Sequence, residues 1–113
     1  MAPPHWQRTM ETRDEPRLSY QTLQVLQAFL EQPQKQLAGA DLQRLTSLAS
    51  GTLYPILARL EKAGWLASEW EHLDPREAGR PRRRYYRITP SGTVKAQDAF
   101  RRFEPMAGQP SWA

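Results

Sequence analysis

The chain has 113 residues, enough for one modest core but not two. Its composition is 25% charged and 39% apolar, with no run approaching the roughly 18 apolar residues a spanning helix needs. It has no cysteine, which excludes disulfides and thiolate metal sites and suits a reducing cytoplasm; the opening "MAPPHWQRTMETRDEPR" also lacks the apolar stretch of a secretory signal. The net charge of +4 is unevenly held: residues 1–75 carry seven Lys/Arg against nine Asp/Glu, and residues 76–113 carry nine against three. A basic patch confined to one segment is the electrostatic footprint of a nucleic-acid binder.

Residues 1–18 are polar, hold Pro3, Pro4 and Pro16, and show no sustained period, so they read as a flexible N-terminal arm with Trp6 as a lone contact point. Ser19 can N-cap a helix whose Leu23, Leu26 and Leu30 recur at helical spacing beside Phe29, and Pro33 closes it. A short helix follows from about Gly39 to Leu45, with Leu42 and Leu45 on one face. "TSLAS" is a turn, plugged by Leu48.

The next helix, about residues 51–63, lies in "SGTLYPILARLEKAGWL". Ser50 is its expected N-cap; Leu53, Ile56, Leu57 and Leu60 form its apolar stripe, and Gly64 stops it. Pro55 removes one backbone donor and crowds the carbonyl four residues earlier, but that residue is Gly51, which has room to adjust. The other face carries Thr52, Pro55, Arg59 and Lys62, flanked by Tyr54, and the unpaired N–H groups of the helix start suit a phosphate.

"WLASEWEH" and "RRRYYRIT" both alternate and are joined by the turn-rich "LDPREAGRP", giving a long two-stranded hairpin in which Tyr86 and Ile88 face the core. Thr89-Pro90 opens a last helix through Ala96, Ala99, Phe100 and Phe103 to about Glu104, where Pro105 is expected to stop it. The fold class is thus mainly α with a two-stranded β wing. It divides into an arm (1–18), a winged helix-turn-helix (19–89), a C-terminal helix (90–104) and a tail (105–113).

In a helix-turn-helix the second helix enters the major groove, which makes Ser50, Gly51, Thr52, Tyr54, Pro55, Arg59 and Lys62 candidate DNA contacts. Arg80, Pro81, Arg82, Arg83 and Arg84 would hold the flanking backbone or a minor groove, since guanidinium groups pair with phosphates through forked hydrogen bonds. A strand edge protected by charge would also be basic, yet that purpose rarely needs five arginines without an acid among them. His5 and His72 have no ligand-spaced partners, and no Gly-rich phosphate loop, serine elbow or carboxylate pair occurs. No metal, cofactor or enzymatic activity is expected.

Several linked stretches resemble the PadR family of bacterial transcription regulators: Ser50 to Pro55, Leu60-Glu61 to Gly64, "SEWE", Gly79-Arg80-Pro81, and Tyr85 to Gly92, within residues 18–104. The chain departs from the pattern at Ala40, where the family usually has an aromatic residue, and in its short C-terminal helix, which fits the compact subfamily. The resemblance implies a cytoplasmic homodimeric repressor on an inverted-repeat operator of double-stranded DNA, joined through the first and last helices. Phe100 and Phe103 would then pack at the dimer centre or line a site for a small aromatic effector. Two other functions stay open on the sequence: a winged-helix module that binds an acidic protein, and an effector sensor whose DNA role is secondary.

Overall fold

The computed structural model describes residues 16–107, with side chains as far as Arg102. The first helix, α1, spans Tyr20–Glu31. Ser19 caps it as expected, its hydroxyl accepting from the Thr22 amide at 3.2 Å, and Val25, Leu26 and Phe29 are wholly buried. Leu18, just ahead of the cap, also packs on the core.

A two-residue strand, β1 (Leu37–Ala38), leads directly into α2 (Gly39–Thr46). Asp41 closes the start of α2 by accepting from the Ala38 amide at 2.9 Å, and this bond is the main cause of its lowered pKa. Leu42 is buried as expected, but Leu45 is 46% exposed. Ser47 takes a left-handed conformation (φ 60°) and ends α2 with its amide on the Gln43 carbonyl.

The third helix, α3, spans Ser50–Lys62, with Leu53, Ile56, Leu57 and Leu60 buried as the stripe requires. The cap position belongs to Ala49 rather than Ser50, and Ser50 is the first helical residue with no side-chain cap bond. Pro55 sits inside the helix, one turn beyond Gly51, at a position where Gly51 faces open space.

Strands β2 (Leu66–Trp70) and β3 (Arg84–Ile88) pair antiparallel, with Leu66 opposite Ile88, Ser68 opposite Tyr86 and Trp70 opposite Arg84. The expected two-stranded wing is in fact a three-stranded sheet of order β1-β3-β2, because Leu37 and Ala38 pair with Tyr86 and Tyr85. Two residues between Gln36 and Gly39 carry no alternation, so this strand has no sequence signal. The connection between β2 and β3 holds a one-turn helix, α4 (Pro75–Ala78), capped by Asp74 and ended by Gly79 at φ 69°.

The final helix, α5, spans Pro90–Ala107, so it continues past Glu104 and through Pro105. Thr89 caps it: its Oγ1 accepts from the Gly92 amide at 2.9 Å and lies 2.7 Å from the Gly64 carbonyl, tying the helix start to the end of α3. Gly92 is required there, because a Cβ would run into the Trp65 backbone. Among the described residues no helix is long and apolar enough to cross a membrane.

Candidate nucleic-acid interface

Helix α3 turns its three buried leucines and one isoleucine inward, so at about 100° per residue the opposite face is led by Gly51, Pro55, Ala58 and Lys62. Thr52 and Arg59 fall on one flank of that face, and Tyr54 and Glu61 on the flank toward the wing. Ser50, Gly51, Thr52, Tyr54, Pro55, Arg59 and Lys62 are all exposed, as a recognition surface requires. Tyr54 is held rather than free: it lies across Gly39 at the start of α2, where any Cβ would collide with its hydroxyl.

The wing arginines divide into two groups. Arg80 is engaged, its two terminal nitrogens bonding the two oxygens of Glu71 at 2.7 and 3.0 Å. The same carboxylate accepts from the Arg83 amide at 3.2 Å and lies 3.3 Å from the Tyr85 hydroxyl. With the Arg80 guanidinium as the leading cause, the Glu71 pKa is held down to about 2. The side chain of Glu71 is only 17% exposed, and it fastens the two ends of the connecting loop together.

Arg84 is engaged too. Its Nε donates to the Ser68 hydroxyl at 3.0 Å, its Nη2 lies 3.4 Å from Glu61, and its guanidinium lies 5.1 Å from the centre of the Trp70 ring. Ser68 bonds Glu61 in turn, so one acid at the end of α3 ties that helix to both strands of the wing. Arg80 and Arg84 therefore stand inside the protein's own bonding, not free as their place in the charge run suggests.

Arg82 and Arg83 behave differently. Arg82 spends only its Nε, on the Leu73 carbonyl at 2.9 Å, and the Arg83 side chain has no partner among the described residues. Both are exposed, as is Pro81. Arg59 and Lys62 likewise have no ion-pair partner among the described residues. Four cations along α3 and the wing thus have no ion-pair partner among the described residues, while Glu61 and Glu71 are taken up by Arg84 and Arg80; Glu69 bonds Gln36, and Asp74 and Glu77 stand exposed on the wing.

Between α3 and the wing runs a groove of about 610 Å³, lined by Tyr54, Ala58, Trp70, Arg82 and Arg83 and floored by Gly39. Trp70, Ala58, Glu61 and Glu71 are parts of this region that sequence reasoning missed. Helical spacing could have marked Ala58 and Glu61, which fall outside the Leu53-Ile56-Leu57-Leu60 stripe of α3, whereas Trp70 and Glu71 are placed by the pairing of β2 with β3.

A second groove, about 940 Å³, lies on the far side between α1, α2 and α5, with Tyr20, Leu23, Leu30, Leu45 and Phe100 in its lining. The side chain of Phe103 lies outside the described residues. His72 is exposed, and no group of three metal-ligating side chains occurs among the described residues.

Residues 34–98 match the family described as "Transcriptional regulator PadR-like family". A PadR family transcriptional regulator from Eggerthella lenta DSM 2243 is similar at 27% identity and TM-score 0.61, over 74% of each chain. A PadR-like transcription factor from Bacteroides fragilis is similar at 20% identity and TM-score 0.63, over 90% of this chain and 93% of the other. The S. aureus MepR–DNA complex shares the fold at 17% identity and TM-score 0.60, over 91% and 76%. No curated relative matches the chain.

Proposed function

The chain belongs to the PadR-like family of transcriptional regulators, not to a family of enzymes, and from that premise we propose that it is a sequence-specific repressor acting as a homodimer on inverted-repeat DNA. In this reading α3 lies in the major groove, with Thr52, Tyr54 and Pro55 of its N-terminal turns toward base edges and Arg59 and Lys62 toward phosphates. Ser50 and Gly51, at the helix start, offer amides to the backbone. Arg82 and Arg83, with Pro81 between Arg80 and Arg82, meet the flanking backbone. Arg80 and Arg84 serve the same end indirectly, by fixing the wing that carries them.

The observation that supports this reading best is the charge balance around α3. Glu61 and Glu71 are consumed by internal arginines, which leaves Arg59, Lys62, Arg82 and Arg83 facing solvent with no ion-pair partner among the described residues. Dimerisation is supported by the groove between α1, α2 and α5, whose lining includes Tyr20 at 76% exposure, Leu45 and Phe100. A second copy applied there would cover that apolar surface, and a paired site one turn of DNA apart needs the two α3 helices about 34 Å from each other. The test is a gel shift with genomic fragments in excess competitor DNA. A discrete set of retained fragments is expected; equal retention of all fragments, or of none, favours a protein-binding module instead.

A further inference from the structure

Trp70 is the largest apolar side chain left exposed beside the unbalanced arginines, at 53% exposure. It closes β2 opposite Arg84, and the Arg84 guanidinium packs over its ring. The groove it lines has Tyr54 and Ala58 of α3 on the other wall and Arg82 and Arg83 at the wing side. Glu61, the acid in the groove, is paired with Arg84 and Ser68 and so presents no free negative charge.

We propose that this groove carries one sugar-phosphate strand of the bound duplex, and that Trp70 is a DNA-contacting residue that packs against a deoxyribose of that strand. The inference rests on the DNA-binding reading above. When α3 lies in the major groove and the wing lies beside it, the strand bordering that groove passes between them. The lining suits such a strand: cations for phosphate at the rim, a flat apolar ring for the sugar, and a small residue, Ala58, where the backbone needs room. Arg84 lies over one face of the ring and so holds it in place without a rotamer search on binding. Trp70 therefore contributes affinity that salt does not screen, in contrast to Arg82 and Arg83.

The test uses the full chain and a duplex enriched from a random DNA library. Hydroxyl-radical oxidation of the protein, read by mass spectrometry, is expected to fall several-fold at Trp70 when this duplex is added. Trp65, which is buried, serves as the internal reference. Trp70→Ala is expected to weaken binding by on the order of tenfold with the salt slope unchanged, and Trp70→Phe to recover most of the loss. Wild-type binding with Trp70 oxidised equally with and without DNA overturns this proposal and leaves the DNA-binding reading standing. Failure of the library to yield any enriched duplex overturns both.

Discussion

Replacing Arg82 and Arg83 together by alanine tests the division of the wing arginines most sharply. Each protomer presents four cations without acid partners near the interface, Arg59, Lys62, Arg82 and Arg83, which makes eight in a dimer. With each neutralised phosphate contributing about 0.9 to the dependence of log affinity on log salt, the wild-type slope should be about −7. The double variant removes four cations per dimer, so its slope should fall to about −3.6. Between 50 and 200 mM salt the wild type should lose about 10⁴-fold in affinity, and the variant only about 10²-fold. Fluorescence anisotropy of a labelled duplex at four salt concentrations reads both slopes. Equal slopes for the two proteins would refute the assignment of free phosphate contacts to Arg82 and Arg83.

Arg80 acts through Glu71, so Glu71→Gln and Arg80→Ala should each weaken DNA binding and the pair should cost no more than either alone, as a double-mutant cycle would show. Because the Glu71 pKa is depressed from 4.5 to about 2, its tie is present at neutral pH and is lost only as pH falls through about 2. A carboxyl titration by NMR should accordingly show Glu71 ionised throughout pH 5–8; a midpoint above 4.5 would contradict the geometry. Gly39→Ala should displace Tyr54 and alter sequence preference at the bases it faces, while leaving the salt slope within about half a unit. Phe100→Glu should shift the protein to monomer in analytical ultracentrifugation and reduce binding to a paired site far more than to a half-site.

The helical part of the fold was readable because its signals are local. Ser19 and Thr89 cap through their own side chains, and the Leu53-Ile56-Leu57-Leu60 stripe has one period and one solution. β1 was not readable, since a two-residue strand is defined by its partner: Leu37 and Ala38 become a strand only because Tyr86 and Tyr85 lie alongside. Leu45 illustrates a similar limit, for its spacing from Leu42 puts it on the apolar face, yet that part of the face opens into the groove shared with α1 and α5.

At the candidate site, the sequence marks the charge but not its disposal. "GRPRRRYYRIT" presents its arginines as equivalent, and only the pairing of Trp70 with Arg84 and the approach of Glu71 to Arg80 separate ties from free cations. That separation depends on contacts nine (Glu71–Arg80), fourteen (Trp70–Arg84) and twenty-three (Glu61–Arg84) residues apart in the chain, which no local pattern encodes.

The central claim is that this chain reads a DNA sequence as a symmetric dimer. Selection from a random duplex library on the purified protein, followed by sequencing of the bound pool, tests it most directly. The account predicts enrichment of an inverted repeat whose half-site centres lie about 10 base pairs, or a multiple of that, apart. A bound pool with no enriched sequence, or one enriched for a single unrepeated element, would contradict it.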